Sequence, residues 1–319
     1  MRHRCAVLDD YQGVALAMAD WSSLAAEVDV RVYRERFETP EKLIDAVHDC
    51  DIIVAMRERT PFSDDVIARL PNLRLLVSTG MRNASIDLDA ARDHGVTVCG
   101  TASQSEPPAE LTWALILGLA KHVMVEAQAM RTDGPWQQTI GIDLCGKTLG
   151  LLGLGKIGAK VARIGQAFDM RVMAWSQNLT RERCDQLGVE YARTKEALLE
   201  ASDIVSIHLQ LSDRTRGLVT KEDLRRMKST AFLINTSRAP IVDGAGLMEA
   251  LQAGWIGGAG LDVYEEEPLP DGHPLRQMPN VLAMPHVGYV TEANYRTYYG
   301  EAVEDIAAFL AGAPIRVMS

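Results

Sequence analysis

Thr148-Leu149-Gly150-Leu151-Leu152-Gly153-Leu154-Gly155-Lys156-Ile157-Gly158 decides the fold of this chain. A short apolar run reads as a strand and three glycines in G-x-G-x-x-G spacing read as a turn. Lys156-Ile157-Gly158-Ala159-Lys160-Val161-Ala162 then reads as the start of a helix. Glycine is common, so the spacing alone is weak; its flanks give it meaning. Between a strand and a helix, Gly153 permits the tight turn, Gly155 lets a pyrophosphate approach the backbone, and Gly158 lets the helix pack on the strand. The helix start, with Lys156 and Ile157, faces the phosphates with N–H donors. The reading is a Rossmann-type dinucleotide unit; the bland alternative is a glycine turn that binds nothing.

Strand-like runs continue downstream at Arg171 to Trp175, Val189 to Ala192, Asp203 to Leu209, Ala231 to Thr236, Ala259 to Val263 and Val281 to Met284. Helices are expected at Lys156 to Phe168 and Gly244 to Ala253. Upstream, Ala6 to Leu8, Val28 to Tyr33, Asp51 to Met56, Leu73 to Ser78 and Val96 to Cys99 alternate with helical segments at Glu41 to His48 and Asp87 to His94. That alternation indicates a second parallel α/β unit, one without a glycine-rich nucleotide turn. Ala109 to Met130 is apolar nearly all round, with Gly118 its only breaker, and predicts one long, mostly buried helix connecting the two. Thr291 to Leu310 reads as a helix that returns to the first unit. The expected class is α/β with two doubly wound parallel-sheet domains: a discontinuous substrate domain, 1–103 with 291–319, and a dinucleotide-binding domain, 104–290.

The second strand of the nucleotide unit ends in Ser176-Gln177-Asn178, where an aspartate or glutamate would hold an NAD ribose. Ser176 and Asn178 suit an unmodified ribose, and Arg181 or Arg183 suits a 2′-phosphate, so NAD and NADP both stay open. Thr236, Asp262 and Gly288, at the ends of later strands, are further cofactor-binding candidates.

With 319 residues, 47% apolar and 24% charged, the chain is long enough for two globular domains. A formal charge of -10 without a lysine or arginine run disfavours nucleic acid as a partner. Five scattered cysteines (Cys5, Cys50, Cys99, Cys145 and Cys184) suggest neither a disulfide framework nor a metal site. That cysteine usage fits a reduced cytoplasm, and the amino terminus passes from basic residues into a short apolar strand without a signal-peptide core. The longest apolar stretch, Trp113 to Ala120, is too short to span a bilayer.

Three segments at apparent strand ends carry chemistry: Asn235-Thr236-Ser237-Arg238, Asp262-Val263-Tyr264-Glu265-Glu266-Glu267-Pro268 and Pro285-His286-Val287-Gly288. Taken singly, His286 reads as a backbone-bonded histidine, Glu267 as part of a solvated acidic turn and Arg238 as a surface ion-pair partner. Jointly these readings are poor, because the carboxyl ends of strands form the crevice of an α/β sheet. Histidine, with an unperturbed pKa near 6.5, can give and take a proton. A neighbouring carboxylate fixes its tautomer, and arginine offers a planar, permanently charged fork that matches a carboxylate.

From Val54 to Ala311 the motifs resemble the D-isomer-specific 2-hydroxyacid dehydrogenase family. The resemblance rests on Gly146 to Gly158, Val205-Ser206-Ile207-His208-Leu209, Met227 to Asp243, Gly260 to Pro268 and Pro285 to Gly288. It implies that Arg238 holds the substrate carboxylate and polarises the reacting carbonyl, that His286 is the acid/base, and that Glu267 pairs with it. It also implies a flavodoxin-like substrate domain, a small anionic 2-oxo or 2-hydroxy acid of the glyoxylate or hydroxypyruvate type, and a homodimer. His208 is given a structural or cofactor-edge duty. The family's substrate loop, G-x-G-x-D-N-x-D, is here Gly80-Met81-Arg82-Asn83-Ala84-Ser85-Ile86-Asp87. Gly80, Met81, Arg82 and Asn83 are the substrate-binding candidates with Arg238. Arg82, Asn83 and Arg57 would present side-chain donors to a substrate with more than one polar group, or Arg82 would point to solvent. Two other readings of the same fold are a dinucleotide-sensing binding protein and a formate- or phosphite-type dehydrogenase.

Overall fold

Ile52-Ile53-Val54-Ala55 and Leu75-Leu76-Val77 have no polar side, as expected of parallel strands covered on both faces, and each is wholly buried. The computed structural model describes residues 2–318 and divides into two units, one running to Gln104 and resuming at Val290, the other spanning Ser105–Tyr289. In the first, strands β1 (His3–Val7), β2 (Val28–Val32), β3 (Ile52–Ala55), β4 (Leu75–Ser78) and β5 (Thr97–Gly100) form a parallel sheet in the order β2-β1-β3-β4-β5, the flavodoxin-like order. Its helices start where capping chemistry allows. Thr39 accepts from the Lys42 N–H with Pro40 in the first turn, and Asp87 accepts from the Ala90 N–H.

The helix Glu292–Leu310, capped by Thr291, completes this unit and buries Tyr295, Tyr298, Tyr299, Ala302 and Ile306. One stripe of it holds the chain that leaves β5. The Asn294 amide oxygen accepts from the Gln104 N–H (3.0 Å), the Tyr298 hydroxyl meets Ser103 Oγ (2.9 Å), and a Glu301 carboxylate oxygen accepts from the Ala102 N–H (2.6 Å). Spacings of four and three residues place these side chains on one helix face.

The second unit holds β6 (Thr148–Leu152), β7 (Arg171–Trp175), β8 (Glu190–Tyr191), β9 (Ile204–Ile207), β10 (Phe232–Asn235), β11 (Gly258–Leu261) and β12 (Val281–Ala283). All pair in parallel, in the order β12-β11-β10-β9-β6-β7-β8. The direction of winding reverses between β6 and β9, the position where open α/β sheets bind ligands beyond the carboxyl ends of their strands.

The single helix expected from Ala109 to Met130 is two, Glu106–Ala120 and Val123–Arg131. His122 adopts a left-handed conformation (φ 49°) and its N–H bonds to the Leu119 carbonyl, closing the first helix. That helix starts earlier than expected because Pro107 and Pro108 fit its first turn, where a missing N–H loses no bond. The first is mostly buried, whereas the second buries Ala129 and exposes Val123, Met124, Val125 and Met130.

Candidate active site

The glycine turn separates what the chain itself requires from what a ligand requires. Gly153, at the end of β6, has φ 105°, and a Cβ there would lie 2.6 Å from the His208 carbonyl oxygen. At Gly158 a Cβ would fall 2.2 Å from the Gly153 carbonyl oxygen. At Gly155 a Cβ would meet nothing within 4 Å. No protein atom therefore demands the second glycine. Its bareness leaves open space in front of the helix Lys156–Ala167, whose amino end has no side-chain cap. Space and unopposed N–H dipoles are what a pyrophosphate needs, so these residues fit a dinucleotide.

Ser176, Gln177 and Asn178 follow β7 without an acid among them, and Gln177 donates to the Arg214 carbonyl (3.2 Å). Arg181 lies over the Tyr191 ring, 5.3 Å from its centroid. His208, after β9, shares a 2.9 Å hydrogen bond between Nε2 and Ser206 Oγ, and burial pushes its pKa down to about 4. It is neutral at physiological pH.

Arg238, Asp262 and His286 follow three neighbouring strands, β10, β11 and β12. Asn235, 2% exposed, shapes the first loop: its side-chain oxygen accepts from the Ser237 N–H (3.0 Å) and its Nδ2 donates to the Arg238 carbonyl (3.0 Å). Arg238 is half-buried and donates to the Ser237 carbonyl (2.8 Å). The Thr236 hydroxyl meets that of Thr112 at 2.9 Å.

The buried Asp262 carboxylate accepts from the backbone N–H groups of Val287 and Gly288, both at 2.8 Å. Burial raises its pKa to about 6. Gly288 is needed for this approach, since a Cβ there would lie 2.9 Å from a carboxylate oxygen. Asp262 thus holds the backbone immediately after His286, which itself has φ 51°. The His286 Nδ1–H donates to Glu267 Oε2 at 2.6 Å, and the Tyr264 N–H donates to Glu267 Oε1 at 2.9 Å. Nε2 is the ring nitrogen that Glu267 does not engage.

Gly80, Met81, Arg82 and Asn83 follow β4 in the first unit. Gly80 has φ 118°, and a Cβ there would lie 2.1 Å from the Arg57 guanidinium. The Gly80 N–H donates to Thr101 Oγ1 (2.9 Å). Both donor directions of the buried Asn83 amide are used, on the Arg57 carbonyl (2.6 Å) and Ser78 Oγ (3.1 Å), and its oxygen accepts from the Ser85 N–H (2.9 Å). Asn83 therefore shapes the loop, and Met81 and Arg82 are exposed. Two residues that sequence reasoning gave no role stand out: Asn235 as the brace of the arginine loop and Tyr264 as a partner of Glu267. Their one signal in the sequence is position, Asn235 beside Thr236-Ser237-Arg238 and Tyr264 within Asp262–Pro268.

The D-isomer specific 2-hydroxyacid dehydrogenase, NAD binding domain family matches residues 113–288. The glyoxylate reductase of Aeropyrum pernix is 39% identical over 301 residues, covering 91% of this chain and 89% of that protein. The chain belongs to the D-isomer specific 2-hydroxyacid dehydrogenase family. Like other members, this 2-hydroxyacid dehydrogenase is an oxidoreductase that interconverts 2-oxo and 2-hydroxy acids with a nicotinamide cofactor. The D-3-phosphoglycerate dehydrogenase of Bacillus subtilis is 35% identical over 274 residues; the match covers 85% of this chain and 51% of that protein, about half its length. Among solved structures, a phosphoglycerate oxidoreductase from Vibrio cholerae superposes with a TM-score of 0.93 at 37% identity, covering 98% of this chain and 100% of that one. The two parallel sheets are those of this family's fold. No described helix is long and apolar enough to cross a membrane.

Proposed function

We propose that Arg238, Glu267 and His286 carry the reaction, on the strength of the 2.6 Å bond between His286 and Glu267 at the end of β12, two strands from Arg238. Arg238 binds the 2-oxo acid's carboxylate with its planar fork and draws electron density from the adjacent carbonyl. His286 delivers the Nε2 proton to the carbonyl oxygen during reduction and removes it from the hydroxyl during oxidation, a contribution of roughly 10²–10⁴-fold. Glu267 holds the ring so that Nε2 is the reacting nitrogen. The nicotinamide, when bound, supplies or accepts the hydride. Gly153, Gly155, Lys156, Ile157 and Gly158 hold its pyrophosphate, Ser176 and Asn178 its ribose, and Thr236, Asp262 and Gly288 its nicotinamide end. Without an acid at 176–178 nothing repels a 2′-phosphate, so NADH and NADPH both serve.

Gly80, Met81 and Arg82 bind substrate through backbone amides and the Arg82 side chain, with Asn83 keeping the loop in shape. The favoured substrates are glyoxylate, which the Aeropyrum pernix relative's name supports, and hydroxypyruvate. A homodimer is supported by the exposed apolar side chains of Val123, Met124, Met130, Trp136 and Ile140, all in one segment. The five free cysteines, four of them buried, suit a reducing cytoplasm.

Oxidation of NADH and NADPH by the purified protein with glyoxylate, hydroxypyruvate and pyruvate tests this reading, with chiral analysis of any chiral product. Turnover giving the D-hydroxy acid is the expected result; dinucleotide binding without turnover of any 2-oxo acid would refute it.

A further inference from the structure

His286 is aimed by a turn as well as by a carboxylate. Its N–H bonds back to the Met284 carbonyl (3.0 Å), two residues earlier, around Pro285, and the chain then enters the left-handed region at His286 (φ 51°). Such a turn is tight and weakly bonded, so what else holds its acceptor matters. The Met284 carbonyl has a second donor, the Tyr264 hydroxyl, at 2.8 Å; the same hydroxyl lies 3.3 Å from the Leu261 carbonyl at the end of β11. Met284 N–H in turn donates to the Leu261 carbonyl (2.7 Å). Meanwhile the backbone N–H of Tyr264 donates to Glu267 Oε1 (2.9 Å), and Glu267 Oε2 receives His286 Nδ1–H (2.6 Å).

One residue thus reaches both supports of the imidazole: the carboxylate through its main chain and the turn through its hydroxyl. One side of the Tyr264 ring packs against the core of this unit. With Met248, Leu269 and His273 it lines a cavity of ≈ 300 Å³. The 2.8 Å bond from its hydroxyl to the Met284 carbonyl is what ties the ring to the turn.

We propose that Tyr264 is a positioning residue for the reaction, its hydroxyl locking the Met284–His286 turn in register with Glu267 so that Nε2 meets the substrate oxygen. The inference rests on the assignment of His286 as the acid/base. A misplacement of about 1 Å can lower a rate by as much as about 10²-fold, so loss of one lock should act on kcat and leave substrate binding alone.

The test is Tyr264→Phe in the full chain, which keeps the ring and deletes the hydroxyl, assayed with cofactor and the best 2-oxo acid beside His286→Ala. The expected outcome is a kcat about tenfold lower with KM within about threefold, a melting temperature within a few degrees of wild type, and a larger primary deuterium isotope effect on kcat with the 2-deuterated hydroxy acid. A kcat and isotope effect equal to wild type, while His286→Ala is inactive, would overturn the role of Tyr264 and leave the acid/base intact. A loss of kcat and KM together with a large fall in melting temperature would reduce Tyr264 to structural support, again against the proposal. Wild-type kcat in His286→Ala would remove the acid/base assignment itself.

Discussion

Glu267 holds His286 with one carboxylate oxygen, 2.6 Å from Nδ1, and receives the Tyr264 N–H on the other, at 2.9 Å. Both oxygens face donors, so an amide cannot replace the carboxylate without turning its NH2 toward one of them. Glu267→Gln should therefore lower kcat by about 10²-fold or more, with a small change in KM. Steady-state kinetics check this; a variant within twofold of wild type would show that the pair does not govern the chemical step.

Asp262 follows the same logic with backbone partners. Its oxygens accept separately from Val287 and Gly288, so Asp262→Asn leaves one N–H opposed by an amide NH2. The segment after His286 should then shift, lowering kcat/KM at least tenfold, or by about 1.4 kcal/mol in transition-state stabilisation. Unchanged kcat/KM would mean that this backbone is held elsewhere.

The three glycines should fail differently. Gly155→Ala places a methyl in open space, so the melting temperature should hold while dinucleotide affinity falls tenfold or more, as fluorescence titration would show. Gly158→Ala drives a methyl against the Gly153 carbonyl oxygen, 2.2 Å away, and should lower the melting temperature whether or not cofactor is present. Equal affinity in Gly155→Ala would argue that no phosphate approaches there.

Much of this was legible in the sequence because it depends on local rules. Gly153 and Gly158 mark backbone positions that a side chain cannot occupy, and fully apolar runs such as Ile52–Ala55 mark strands covered on both faces. What stayed hidden depends on geometry between distant residues. The break at His122 is a left-handed residue in a run whose apolar pattern predicts an uninterrupted helix. In the sequence Asn83 reads as a donor to substrate, yet its amide is engaged by the Arg57 carbonyl and Ser78 Oγ. Nothing about a tyrosine in the Asp262–Pro268 segment indicates that its hydroxyl reaches the neighbouring strand.

His208 gives a pH dependence of stability. Its folded-state pKa is about 4 and its ordinary value 6.5, so between these the unfolded chain binds the extra proton. The stability it contributes is present above pH 6.5 and is lost progressively as pH falls toward 4. Thermal melts between pH 7 and 4.5 should fall more steeply for wild type than for His208→Asn; parallel curves would assign the acid sensitivity to other groups.

Cofactor choice turns on the end of β7. Ser176→Asp introduces the missing acid and should cut kcat/KM with NADPH by more than about tenfold relative to NADH, through like-charge repulsion of the 2′-phosphate. An unchanged ratio would place ribose recognition outside 176–178.

Transfer of the substrate proton by His286 is tested most directly by kcat for 2-oxo acid reduction in wild type and His286→Ala, both saturated with cofactor and substrate. A fall of about 10²-fold or more, with dinucleotide affinity unchanged, is the expected result. A variant that turns over at the wild-type rate would contradict it.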